Sequence, residues 1–231
     1  YNVDNPVSLA GYLSREQYGD WPILFGPDYN NRPPYVESGD LYAKGKDKYI
    51  VVGKTQKQDW SAAEGAHLFP RMWDAGTERN QAEAYRQFGK IGEGEDPTMA
   101  NNITYFMRYQ FYWMYFRYFM WNFAGKQNDL QGFGNIRDGN WISGIDFIDK
   151  MIYGVNNDQL PSTAGKDNKA HNKLYFLPLI LGLLGLLYHL NTNKRDFLVA
   201  FLLFFFTGFA IVIYLNQSGF QPRERDYAYV G

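Results

Sequence analysis

The sequence predicts a mixed, mainly α integral membrane protein fragment, in which an aromatic-rich α+β extramembrane region is followed by a two-helix transmembrane hairpin. Three observations predict it. Residues 174–190 and 197–215 are apolar runs of 17 and 19 residues, and a bilayer core about 30 Å thick asks for roughly 20 such residues at a helical rise of about 1.5 Å. Residues 1–161 are polar yet rich in Tyr, Phe and Trp, and they alternate helical and strand-like patterns. The stretch FLLFFF, 201–206, is apolar on every helical face, as a lipid-facing helix is.

The elements follow in order. Asn5 before Pro6 reads as an N-cap and a first-turn proline, with Leu9, Tyr12 and Leu13 on one face and Gly19 as the stop. Residues 41–53, LYAKGKDKYIVVG, place β-prone residues on both sides of a Gly/Lys/Asp turn and predict a hairpin. A helix is expected from Thr77 or Glu78 to Phe88, ending at Gly89. Another is capped by Ser143, carries Asp146 and Asp149 in its first turn, buries a stripe of Ile145, Ile148, Met151 and Ile152, and stops at Gly154. Residues 125–139 and 156–172 read as loops.

Between these lies the most unusual segment, residues 104–123, in which 12 of 20 side chains are Phe, Tyr or Trp. With Asp96 and Pro97 at its start and Gly125 at its end, it predicts a helix over about 97–124, on the order of 42 Å long. Arg108 and Arg117 are nine positions apart, half a turn out of phase at about 100° per residue, so both cannot point from one narrow face into water. The favoured reading is a structural helix against the membrane surface or other helices, with its arginines snorkelling. The competing one is a ligand platform, since Tyr and Trp also stack on sugar rings.

The organisation expected is therefore an extramembrane region over 1–170, a helix pair over 174–215 and a juxtamembrane tail over 216–231. The chain reads as a piece of a longer one, because no signal peptide is visible and it stops just after QPRERDYAYVG. Counting Lys and Arg puts Lys166, Lys169, Lys173, Arg223 and Arg225 on one side against Lys194 and Arg195 on the other, which by itself places the polar region in the cytoplasm.

Composition excludes several chemistries. A net charge of −1 and a pI near 6.4 lack the basic excess of a nucleic-acid binder. The absence of Cys removes disulfides, thiolate metal sites and thiol catalysis. No GxSxG, HExxH or Walker pattern occurs, the three His lie in dissimilar surroundings and read as surface or packing residues, and no cofactor or metal is implied. Two charged clusters stand out. Arg15, Glu16, Tyr18 and Asp20 end the first helix, as a capping network or a polar substrate site. Arg223, Arg225 and Asp226 follow the second apolar run by about eight residues, at headgroup depth, where arginine forks clamp a lipid phosphate or simply anchor a helix end.

The segments 12–27 (YLSREQYGDWPILFGP), 69–73 (FPRMW), 115–132 (YFRYFMWNFAGKQNDLQG), 140–149 (NWISGIDFID) and 221–231 (QPRERDYAYVG) together resemble a bacterial multi-spanning membrane family, long catalogued as a domain of unknown function and related to protein O-mannosyltransferases of the GT-C type. The resemblance implies an enzyme of the bacterial inner membrane that takes a mannose-like sugar from a polyprenyl-phosphate donor and gives it to Ser or Thr of exported acceptor proteins. Membrane lipid and lipid-linked sugar are then its partners, and nucleic acid is not. It also implies that the polar region is periplasmic, reversing the charge count, and that Arg223, Arg225 and Asp226 meet the donor phosphate. Arg117, Asn128 and Asp129 lie in its third segment and join Arg15, Glu16, Tyr18 and Asp20 as polar site candidates. The family's acidic catalytic residue falls upstream of residue 1, so no catalytic residue is assigned, and Lys126 stands where an Arg is expected. The alternative is a noncatalytic periplasmic module that binds glycan or protein within a membrane assembly.

Overall fold

The computed structural model describes residues 3, 5–13, 20–76, 80–155 and 159–220. It is mixed α+β and divides into two compact units, Tyr1–Ile103 and Thr104–Gly231.

In the first unit, α1 (Pro6–Leu13) begins as its residues dictate. The Asn5 side-chain oxygen accepts from the backbone N–H of Val7 at 3.1 Å and of Ser8 at 3.0 Å, filling two orphan donors of the first turn. Leu9, Tyr12 and Leu13, expected as a packing face, are exposed, and Gly19 lies outside the described residues. Strands β2 (Tyr35–Lys44) and β3 (Tyr49–Gln58) form the expected hairpin but extend it well beyond 41–53, with register shifts between Glu37 and Gly39 and between Leu41 and Tyr42. The short strands β1 (Phe25–Gly26) and β4 (His67–Leu68) pair antiparallel. Helix α2 (Gln81–Gly89) opens at a left-handed Asn80 and buries Ala84, Tyr85 and Phe88; the expected start at 77 or 78 lies outside the described residues.

Helix α3 (Met99–Tyr105) contains the division between the units. It leads into a π-helix, Phe106–Phe116, and then α4 (Arg117–Phe123). The uniform α-helix expected over 97–124 is thus corrected at its centre. Bonding five residues back winds each residue through a smaller angle than bonding four back, so two neighbours turn inward together, Tyr109 with Gln110 and Trp113 with Met114. The half-turn separation expected of Arg108 and Arg117 does not apply to such a helix. The two still differ, because Arg108 is exposed and Arg117 is buried.

After α4, β5 (Gly125–Lys126) pairs with β6 (Asn172–Lys173). Gly125 has φ of +153°, and a β-carbon there would lie 2.7 Å from the Asn172 carbonyl oxygen and 2.9 Å from that of Ile142, so only glycine fits. Helix α5 (Asp146–Tyr153) stops at a left-handed Gly154 as expected. Its stripe is corrected in part, since Ile148 is half-buried but Ile145, Met151 and Ile152 are exposed and the buried member of the helix is Asp149.

Helix α6 (Leu177–Thr192) starts three residues later than the apolar run because Tyr175 and Phe176 adopt left-handed φ of 52° and 59°. Asn193 alone separates it from α7 (Lys194–Thr207), capping the latter through the N–H groups of Arg195 and Asp196. Gly208 breaks α7 from α8 (Phe209–Leu215). Among the described residues, one helical stretch, Lys194–Leu215, is long and apolar enough to cross a membrane; its 22 residues reach about 33 Å. At 16 residues, α6 reaches about 24 Å, short of the hydrocarbon core. The two-span expectation is thereby reduced to one candidate crossing. Neither α6 nor α7 buries a residue.

The second unit is held by rings. Phe209 lies 6.0, 5.5 and 5.6 Å, centroid to centroid, from Phe106, Phe111 and Tyr115 of the π-helix. Met120, Trp121, Ala124 and Trp141 form a buried cluster that Phe176 and Leu179 cover.

Candidate functional site

Among the described residues, each unit carries buried polar side chains bonded into a network. In the second unit the loop after β5 folds back so that Gly139, at φ of +65°, is gripped from two sides. Its carbonyl accepts from Arg117 Nη1 at 2.8 Å, and its N–H donates to Asn128 Oδ1 at 2.7 Å. Arg117 lies between two indoles, its guanidinium carbon 4.0 Å from the Trp113 centroid and 4.4 Å from that of Trp121, and its Nε donates to the Trp113 carbonyl at 2.8 Å.

That carbonyl is special. The Arg117 N–H bonds Tyr112 O, five back, and α4 begins at the same residue. The return to four-back bonding passes over the carbonyl between, that of Trp113, and the Arg117 side chain takes it up. The expected snorkelling is therefore corrected: the head of Arg117 is sequestered among aromatic faces and backbone oxygens, where a guanidinium is less costly to desolvate than an ammonium.

Asn128 spends its amide on the chain as well, donating to Arg137 O at 2.9 Å and Ala164 O at 2.5 Å. Gln127 beside it accepts from the side chain of Asn140 at 3.0 Å. Asp129 is exposed and accepts from Asn168 Nδ2 at 2.9 Å. Lys126 sets its ammonium 3.9 Å over the Trp121 ring. The structure thus brings Arg117 and Asn128 together on Gly139 and leaves Asp129 outside that grip.

Asp149 closes the same unit's other knot. One carboxylate oxygen accepts from the Ser143 N–H at 2.7 Å and hydroxyl at 2.8 Å, and the second accepts from the Gly144 N–H at 3.2 Å. Burial pushes the Tyr153 hydroxyl far above the ordinary phenol range, with Tyr112 and Asp149 adding to the shift, and this phenol donates to Trp141 O at 2.6 Å.

Asp138 behaves oppositely. The Arg137 fork, at 2.8 and 3.0 Å, holds its carboxyl below the usual carboxylate range against the opposing effect of burial, and Asn135 assists. A depressed carboxyl contributes stability that is complete above its unfolded pKa of about 4 and is lost as pH falls through the lower folded value. Asp138→Asn is therefore expected to lower the melting temperature near pH 7 and to match the wild type once the pH is well below 4; a difference that persists in acid would show that the ion pair is not its source.

The centre of the first unit joins Asp28, His67 and Asn102. Asn102 Nδ2 donates to Asp28 Oδ1 at 2.5 Å, and His67 Nε2 lies 3.2 Å from Asp28 Oδ2 and 3.4 Å from Asn102 Nδ2. His67 Nδ1 is 2.9 Å from the Leu68 carbonyl. The ring is thus held at both nitrogens, Nδ1 by the Leu68 carbonyl and Nε2 by the Asp28 carboxylate and the Asn102 amide. An imidazole oriented by a carboxylate is the geometry of a group that holds or passes a proton.

The FPRMW segment supports it. Asn102 Oδ1 accepts from the N–H of Arg71 at 2.7 Å and of Met72 at 3.3 Å, while Arg71 Nη2 donates to Ile23 O at 2.5 Å. Sequence reasoning missed this centre. Its members are 74 and 35 positions apart, and no local spacing connects them.

Of the earlier candidates, Asp20 is exposed and pairs with Lys57 at 3.0 Å. Arg15, Glu16, Tyr18, Arg223, Arg225 and Asp226 lie outside the described residues. Residues 19–107 match a family of unknown function, DUF8416, a stretch that takes in Asp28, His67, Arg71 and Asn102. No curated protein and no solved structure matches the chain.

Proposed function

We propose that this chain is part of a membrane glycosyltransferase that moves a mannose-like sugar from a polyprenyl-phosphate donor to Ser or Thr hydroxyls of exported proteins. The observation that carries the reading is the way the membrane-length helix ends. Directly after α8, Gln110 Nε2 donates to Asn216 Oδ1 and to Gln217 O, both at 3.0 Å, and the Tyr105 hydroxyl donates to Gln217 O at 3.2 Å. A polar clamp at that point sets where the chain leaves the apolar helix, and Arg223 and Arg225 follow Ser218 by five and seven positions. The segments resembling the O-mannosyltransferase-related family, QPRERDYAYVG among them, give the same reading.

In this reaction the acceptor hydroxyl oxygen forms a bond to the sugar's anomeric carbon as the bond from that carbon to the phosphate oxygen breaks. The polyprenyl phosphate departs with the electron pair, and the hydroxyl proton passes to a base. The role assigned to Arg223 and Arg225 is to hold the departing phosphate, whose charge grows in the transition state, with Asp226 orienting their forks. On this reading the polar region faces the periplasmic side of a bacterial inner membrane, where exported acceptors and lipid-linked sugar meet.

Arg223→Ala with Arg225→Ala, in the full natural protein, is expected to abolish transfer from lipid-linked sugar while the protein still accumulates in the membrane. The paired Lys substitutions are expected to recover only part of the activity, because an ammonium keeps the charge and loses the bidentate fork. Undiminished transfer by the double Ala variant would remove the assignment.

A further inference from the structure

The hairpin β2–β3 offers a surface that the sugar-transfer reading does not use. Almost every strand residue is exposed, and a two-stranded ribbon without a covered face is marginal in water. Its distal half is apolar on both sides. Tyr42 opposes Val51 and Lys44 opposes Tyr49 on one face, and Ala43 opposes Ile50 on the other. The register shift at Leu41 and Tyr42 leaves Val52 without an opposing residue, so apolar side chains ring the ribbon. Tyr42, Tyr49, Ile50, Val51 and Val52 are 39 to 54% exposed.

The lysines sort by position. At the base, Lys54 pairs with Asp40 at 2.8 Å and Lys57 with Asp20 at 3.0 Å. At the tip, the segment 44–48 carries Lys44, Lys46 and Lys48 against one carboxylate, Asp47, and among the described residues none of the three lysines is in an ion pair. An apolar, tyrosine-bearing ring crowned by uncompensated lysines complements a surface that is greasy below and anionic above.

We propose that the tip of this hairpin docks on an anionic bilayer, with Tyr42, Tyr49 and Ile50 at the level of the headgroups and the three lysines on lipid phosphates. Helix α1 extends the same surface. The Tyr49 hydroxyl donates to Asn5 Oδ1 at 3.4 Å, and α1 buries no residue of its own, leaving Leu9, Tyr12 and Leu13 to the outside. Lys194–Leu215 is long and apolar enough to cross a membrane, and a chain held to lipid at one point needs only a weak surface affinity at a second. The docking rests on membrane attachment and is independent of sugar transfer.

The absence of cysteine allows a direct test. The full chain carrying Ile50→Cys, labelled with a nitrobenzoxadiazole fluorophore, is reconstituted into phosphatidylcholine vesicles with about one-third phosphatidylglycerol and brominated acyl chains, a charge density that attracts juxtamembrane lysines. The expected result is blue-shifted emission quenched by the bromines, several-fold weaker quenching in phosphatidylcholine alone, and similar weakening in the Lys44→Glu, Lys46→Glu, Lys48→Glu triple variant. A label at Gln56→Cys, at the base of the ribbon, stays unquenched. Unquenched emission from Ile50→Cys overturns the proposal, a water-like spectrum placing the tip in solvent and a blue-shifted one placing it under protein. Equal quenching with and without anionic lipid overturns it too.

Discussion

Asn102→Ala is expected to cost the first unit roughly 3 kcal/mol, because one amide serves three segments there. Its oxygen takes the N–H groups of Arg71 and Met72, and its nitrogen holds the Asp28 carboxylate beside His67. Asn102 is fully buried and Asp28 nearly so. A methyl group in its place leaves two backbone donors and a carboxylate oxygen without that partner, each a desolvated group worth about 1–3 kcal/mol, partly relieved by water entering the gap. The measurement is amide hydrogen exchange on the full chain. Peptides covering residues 67–73 and 99–105 should lose about a hundredfold in protection, the equivalent of that free energy at about 1.4 kcal/mol per tenfold. Asn30→Ala is the control. Asn30 also donates to a carboxylate, Asp96 at 3.1 Å, but in an exposed setting, where the loss should stay within about 0.5 kcal/mol. Protection unchanged in Asn102→Ala would mean that the FPRMW segment is held by its own packing instead.

The contrast between these two asparagines also marks what the sequence makes legible. Signals that act over one turn are readable: Asn5 caps α1 through its own side chain, the Gly/Lys/Asp turn closes β2 on β3, and Gly154 ends α5 in the left-handed region. Signals that depend on what packs where are not. Of the Ile145, Ile148, Met151 and Ile152 stripe, Ile148 is half-buried and the other three are exposed, while Asp149 is the side chain held inward by Ser143 and Gly144. Tyr175 and Phe176 adopt a backbone region that favours glycine and asparagine, so nothing in their identity announces that α6 must start after them. Among the site residues, Arg117 is conspicuous in sequence as a charge in an aromatic stretch, whereas Asn128 sits in a polar loop segment, GKQND, that singles out no one residue. That Gly139 is their shared partner depends on a loop 11 to 22 residues away. The Asp28, His67 and Asn102 centre has no local trace.

The π-helix is the clearest case of tertiary demand overriding local preference, and its exit yields the second large effect. Arg117→Ala is expected to destabilise the second unit by about 3–5 kcal/mol. Three losses combine: the guanidinium between Trp113 and Trp121, the donor to Gly139 O, and the donor to the Trp113 carbonyl that the change of helical winding passes over. Two substitutions separate these contributions. Arg117→Met fills much of the volume without placing a charge among the rings, so it avoids the desolvation cost and should fall less far than Ala. Arg117→Lys keeps the charge but reaches one carbonyl rather than two and cannot lie flat between the indoles, so it too should fall between Ala and wild type. Thermal unfolding of the full chain in detergent, followed by near-ultraviolet circular dichroism, reads both stability and the fixed environment of the two indoles. The Ala variant should lose the tryptophan signal and exchange rapidly at the amides of residues 113–121, because with no side chain to take the Trp113 carbonyl the five-back ladder has no satisfied way to end before α4. A variant that melts within a degree or two of wild type with its tryptophan spectrum intact would show that ring packing around Phe209 and Trp141, and not the arginine, sets the course of this helix.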